Sequence, residues 1–216
     1  MYKRQILVGI LETVYMTVVS TIFAYVIGLP LGVILYVTDK GGTHPILWLN
    51  RVIGFIVNFL RSVPFIILLV WVMPITRAIV GTTIGSTAVI VPLVIAAAPF
   101  IARMVESSLK EVDLGIIEAA QSMGASSFQL IYKVLIPEAK PSLLVGSAIA
   151  ITTILGYSAL AGTVGGGGLG ALAYNYGYIR RDEDVLLVTV ILLVIVVQIF
   201  QEVGMLIAKK ADKRVK

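Results

Sequence analysis

The sequence predicts an all-α integral membrane protein, with five helices crossing the bilayer in each chain and a helical loop between the third and fourth. Three observations carry this prediction. Hydrophobic residues make up 58% of the 216 and charged residues only 13%, against about 45–50% and about 25% in an ordinary soluble domain. Mean hydropathy is +1.00. The apolar residues form long continuous runs rather than alternating with polar ones, which favours helices over a β-barrel. A soluble core of this size could not hide so much apolar surface, so the solvent is a bilayer. A chain this rich in Ile, Leu and Val is not disordered either. The whole of 1–216 reads as one membrane domain.

A span needs about 20 mostly apolar residues, and five runs meet that length. The first covers 6–37. At about 1.5 Å per residue it would reach about 48 Å, beyond the ~30 Å hydrocarbon core, so its first turns and Glu12 are expected in the headgroup layer. Gly28, Pro30 and Gly32 are candidate sites for a kink near its far end. The run is too long for a signal peptide. The second lies at 52–79 with blurred limits. The third, 84–102, contains Pro92 and Pro99, which neighbouring helices can accommodate. The fourth covers 143–164. The fifth, 185–207, runs straight into a basic tail of Lys209, Lys210, Lys213, Arg214 and Lys216.

Five spans put the two ends on opposite faces. With the C-terminus cytoplasmic, the inside holds that tail together with Lys40, Arg51, Arg61, Arg103, Lys110, Lys133 and Lys140. The outside then keeps only Lys3, Arg4, Arg77, Arg180 and Arg181. The positive-inside bias selects this orientation. It also reads the net charge of +5 as a membrane flank rather than a nucleic-acid site. Five spans make a thin bundle around a polar path, so a two-fold homodimer is expected.

The loop at 103–142 carries the strongest pattern. One short helix is expected over 112–123, ended by Gly124 as glycine ends many helices. Ser126-Ser127-Phe128-Gln129 fits a capping box that opens a second helix. Phe128, Ile131 and Leu135 then share one face, and Pro137 is expected to stop the helix. Glu118-Ala119-Ala120, three residues, Gly124, nine residues and Val134-Leu135-Ile136-Pro137 make up the spacing. A plain surface helix-turn-helix covering the bundle's end would not require it.

That spacing resembles the EAA motif of bacterial ABC importer permeases, E-A-A-x3-G-x9-I-x-L-P, with Val134 and Ile136 as conservative departures. FLRSVPFIILLVWVMPITRAIVGTTIG, AAPFIARMVESS, GYSALAGTVGGGGLG and YNYGYIR are similar to the permeases of methionine importers, over nearly the whole chain. The resemblance implies a type I-like ABC importer permease with a cytoplasmic coupling helix. In that arrangement Glu118, Ala119, Ala120, Gly124, Ile136 and Pro137 seat in an ATP-hydrolysing partner. It further implies two copies of the chain, two ATPase subunits and an extracytoplasmic methionine-binding lipoprotein. ATP and Mg then belong to the partner, with no cofactor in this chain.

Other residues are weighed on chemistry. Tyr157 and Leu160 lie i, i+3 in a small-residue stretch of span four, so they share a face and are candidates for a gate near the dimer axis. Close helix packing is the plainer use of that stretch. Gly165, Gly167 and Gly170 match G-x-G-x-x-G but lack the βαβ context of a nucleotide site. Arg61 is read chiefly as an anchor at the cytoplasmic end of span two. Intramembrane charge is functional by default, which is the competing reading. Arg103 and Glu106 are expected to form a helix-surface pair of small worth. His44 is expected as a solvated loop residue. Tyr174, Tyr176 and Tyr178 fit an interfacial aromatic belt or a contact with the binding protein.

With no Cys, thiol chemistry is excluded, and the single His weighs against a His-based metal site or a Ser-His-Asp relay within one chain. The remaining alternative to an ATP-driven permease is an ATP-independent channel or carrier. The acids lie near span ends or in loops, which weighs against proton coupling.

Overall fold

The computed structural model describes residues 3–211; Lys213, Arg214 and Lys216 of the tail lie outside them. The described residues form helices without a strand. α1 (Lys3–Thr38) and α4 (Ser86–Lys110) run side by side down the bundle. α4 is the hub, since α1, α2 (Leu47–Ser62), α3 (Phe65–Val80) and α7 (Ile136–Ala161) all pack on it.

The α1–α4 seam explains two of the three kink candidates. α1 stays helical through Pro30. Gly28 and Gly32 let it press against its neighbour: a Cβ on Gly28 would fall 2.8 Å from the Ala98 carbonyl and from Ile101, and one on Gly32 would fall 2.6 Å from Val105. This is small-xxx-small packing, in which missing side chains let helices approach where lipid offers no hydrophobic drive. Further up α1, the Thr13, Thr17 and Thr21 hydroxyls donate to the carbonyls four residues back at 2.7–2.8 Å. Buried polar groups are thereby satisfied without a partner helix.

The second apolar run is not one helix. α2 and α3 meet at an angle of 112°. Val63 is extended (φ −79°, ψ 124°) and Pro64 follows at φ −56°, ψ 135°. A residue before proline is driven out of the helical region by the ring, and Pro64 has no N–H to continue the ladder. The blurred limits of this run were the trace of that break. Among the described residues four helices are long and apolar enough to cross a membrane, and five spans result when the bent α2–α3 pair is taken as one.

Pro137 does not stop its helix. The chain is helical from Ser127 to Ala161: α6 (Ser127–Gln129), a π-helical turn over Leu130–Leu135, then α7 with Pro137 in its first turn. Within the turn the Ile136 N–H bonds to the Ile131 carbonyl, five residues back. This wider register moves the carbonyl the proline ring would strike, so the helix passes through. It also rotates the face expected to be shared: Leu135 is buried, Ile131 half-buried, and Phe128 points out to stack on Tyr132.

α7 ends in a 3₁₀ turn, Gly162–Val164. Gly165, Gly167 and Gly168 then take φ of +89°, +81° and +75°, backbone angles at which a Cβ is penalised. α8 (Gly168–Leu172) and a π-helical stretch, Ala173–Ile179, lead to α9 (Glu183–Ala211), which packs on α7. α1 holds the glycine turn: Glu12 Oε2 accepts from the Gly168 N–H at 2.7 Å and Thr13 Oγ1 from Leu169 N–H at 2.9 Å.

Candidate functional site

The loop between α4 and α7 is built as an elbow. α5 (Leu114–Ser122) starts where the Asp113 carboxylate accepts from the Gly115 N–H at 2.7 Å. It ends in a Schellman motif, with Ala125 N–H bonded to the Ala120 carbonyl and Gly124 N–H to the Gln121 carbonyl, at 3.1 and 2.9 Å. Gly124 sits at φ +80° with open space around its missing Cβ, so backbone angle alone selects glycine there. Ser126 then closes the capping box in both directions. Its N–H donates to Gln129 Oε1 at 2.9 Å and its Oγ accepts from Gln129 N–H at 3.3 Å.

The elbow buries Ile117 and Ala120 and turns Glu118 and Ala119 outward. On the same elbow Leu114, Met123, Phe128 and Tyr132 are 71%, 82%, 76% and 65% exposed. Four large apolar side chains in water on a polar loop mark an interaction surface. Ile136 is half-buried and Pro137 exposed at the foot of α7.

Behind the elbow, a chain of charges ties three helices together. Arg103 donates to Glu106 at 2.6 Å, to Asn58 Oδ1 at 3.1 Å and to the Gly54 carbonyl at 3.1 Å. Lys110 bridges Glu106 and Asp39 at 2.8 and 2.7 Å. Arg103–Glu106 is therefore no small surface pair: the Glu106 side chain is buried, and the network fastens α1, α2 and α4 at one end. The Lys110 ammonium, with help from the Lys40 N–H, holds the Asp39 carboxyl below its ordinary value. His44, expected to be free in solvent, is exposed but bonds Ser127 Oγ through Nε2 at 2.6 Å. The loop before α2 thus touches the start of α6. A lone histidine 83 residues from its partner gives no sequence signal for such a contact.

Arg61 lies in the last turn of α2, away from the Asp39–Lys110 end of the bundle. Asn50, in the first turn of α2, reaches the Leu35 carbonyl and Thr38 at the foot of α1. Arg61 is eleven residues further, about 16 Å up the helix. Tyr157 stacks on Phe65 beside it, with ring centroids 4.5 Å apart and planes within 5°. Leu160 is 47% exposed one turn above. Among the described residues no cluster of metal-ligating side chains occurs.

The family model described as "Binding-protein-dependent transport system inner membrane component" matches residues 28–216. The chain belongs to this family. This inner membrane component is 50% identical over 203 residues to a protein named as a probable D-methionine transport system permease, MetI, of Vibrio cholerae; the match spans 94% of this chain and 90% of that one. It is 54% identical over 154 residues, 71% of either chain, to the D-methionine transport system permease MetI of Escherichia coli K12. Its fold superposes on a chain of the inward-facing MetNI methionine ABC transporter with a TM-score of 0.96, 49% identity and 98% of both chains covered. The inner membrane component is thus a multi-pass transporter subunit rather than an enzyme.

Proposed function

We propose that the chain is the transmembrane permease of an ATP-driven importer for methionine, in its D or L form, working by alternating access. The single observation that carries this is the exposed face of the elbow. Glu118 and Ala119 are exposed on the same elbow as the exposed Leu114, Met123, Phe128 and Tyr132, a surface suited to a groove on another subunit. The methionine assignment rests on relatives named for D-methionine transport.

Two copies enclose the path, and two ATP-hydrolysing subunits carrying ATP and Mg seat on the two elbows. An extracytoplasmic methionine-binding lipoprotein delivers substrate from the side of the α1 N-terminus, while the C-terminus is cytoplasmic. Glu118, Ala119, Ala120, Gly124, Ile136 and Pro137 transmit the closing of the ATPase. Alanines permit close approach, Glu118 offers a charge for a cationic or amide donor, and the elbow sets the angle between its two arms. Tyr157 and Leu160 close the path near the two-fold axis.

The test is labelled methionine uptake into vesicles containing the chain, its ATPase and its binding protein. Uptake requires ATP, and Glu118→Lys with Gly124→Pro releases the ATPase and abolishes uptake. Uptake that continues without the ATPase would mark an ATP-independent carrier instead.

A further inference from the structure

The angle between α2 and α3 opens a cavity of 160 Å³ against α4 and α7, lined by Leu60, Arg61, Phe65, Ala96, Phe100 and Tyr157. Its depth follows from the helices themselves. Ala96 and Phe100 flank the midpoint of α4, a helix of 25 residues. Ala96 lies ten residues below Ser86 and Phe100 ten above Lys110, about 15 Å either way. Rungs between α4 and the antiparallel α7 agree: Ser108 meets Ser142 at 2.9 Å, and Gly146 faces Met104, a register that carries Tyr157 to the level of Leu93. The cavity therefore lies within the apolar run of α4, in its half toward Arg103.

Arg61 brings a permanent positive charge to that depth, since a guanidinium does not deprotonate in proteins. A charge there is costly and persists facing a partner or a water-filled cavity. The ion pairs Arg103–Glu106, Lys110–Glu106 and Lys110–Asp39 lie instead at the Asp39–Lys110 end of the bundle. Among the described residues the Arg61 side chain makes no hydrogen bond or ion pair, and it is exposed and lines the cavity. Against it stand Phe65 and Tyr157, stacked as one flat apolar wall, with Phe100 opposite.

A fixed guanidinium beside an aromatic wall suits a carboxylate with an apolar tail. The fork of N–H donors takes a carboxylate bidentately, and a thioether packs well on aromatic rings. The cavity of 160 Å³ has room for the carboxylate end of one amino acid. The side chain then lies along the rings toward the axis.

We propose that Arg61 is the carboxylate-binding residue of the translocation path, holding the amino acid in transit against the Phe65–Tyr157 wall. This deepens the importer reading and rests on it. One acid shares the depth: Gly204 on α9 faces Ala148, which puts Glu202 near the level of Phe100. α9 packs on α7 and α8, away from the cavity, so only Glu202 of a second copy is a rival partner.

The experiment uses the complete transporter in vesicles and measures two quantities, ATP hydrolysis stimulated by the binding protein and labelled methionine taken up per ATP. Arg61→Gln keeps the stimulation but lowers uptake per ATP roughly tenfold or more, the loss of a charge-assisted bidentate pair. Arg61→Lys, which keeps the charge and loses the fork, falls between. Wild-type uptake per ATP in Arg61→Gln overturns the proposal. So does an equal loss in Glu202→Gln that is repaired by exchanging the two charges, which would make Arg61 half of an ion pair between copies. If Arg61→Gln does not assemble, Arg61→Lys decides alone, and unchanged uptake per ATP overturns the proposal. Failure of the importer reading looks different: no stimulation in the wild type, and uptake without ATP.

Discussion

Single residues do different work here under the same name. Gly28 has ordinary helical angles and no room, because a side chain would meet the Ala98 carbonyl and Ile101 at 2.8 Å. Gly124 has room and a left-handed angle. Gly28→Leu must push α1 off α4, and it is expected to lower the thermal unfolding temperature in detergent by many degrees or to prevent accumulation. Gly124→Ala costs only backbone strain of about 1–2 kcal/mol, so a folded protein with a shift of a few degrees is expected. An equal loss for both would refute the distinction. Gly124 was legible in the sequence because it follows a short helix and precedes a capping box. The role of Gly28 was not, since a contact with residues seventy positions away leaves no local pattern. Arg61 was read chiefly as an anchor, with intramembrane charge as the competing reading, because its place along the helix depends on where α2 begins, which only the contact of Asn50 with Thr38 shows.

Among the elements, the elbow was the most readable. Its stop at Gly124 and the Ser126–Gln129 box are short-range chemistry written in consecutive residues. The hinge between α2 and α3 was half-readable, since Val63-Pro64 marks a break but not an angle. The π-helical turn was not readable, and it is why Pro137 fails to end a helix. The charge network was underestimated because Arg103 and Glu106 advertise only an i, i+3 pair, while Asp39 and Asn58 join from other helices. Its pH dependence has a defined sign. Asp39 is held below its ordinary 3.8 by Lys110, so its contribution is complete above that value and is lost as pH falls through the lowered one. The difference in unfolding temperature between the wild type and Asp39→Asn is expected to stay constant from about pH 5 to about pH 8 and to shrink below about pH 4. A difference that changes near neutrality would assign the effect to another group.

For the molecule as a whole, composition already dictated lipid as the solvent, and the helices repeat that on their outsides: Phe55, Trp71 and Ile79 of the bent pair are all largely exposed. Bundle order was not legible, because apolar runs say nothing about which helix becomes the hub. α4 takes that place through its small residues Ala97, Ala98 and Ala102, all buried. The paired arrangement makes its own prediction. Leu160→Ala in the complete transporter is expected to raise basal ATP hydrolysis without binding protein, and Leu160→Cys to form a disulfide-linked dimer under mild oxidation. A monomeric cysteine variant with unchanged basal activity would remove Leu160 from the axis.

The hydrogen bond between His44 and Ser127 has a mechanical consequence. His44 stands three residues before α2 begins, and Ser127 opens the second arm of the elbow. α2 has 16 residues, about 24 Å of stiff rod, with Arg61 near its tip. Any tug that an outside subunit exerts on the elbow is therefore felt at the base of a push-rod whose far end borders the cavity between α3, α4 and α7.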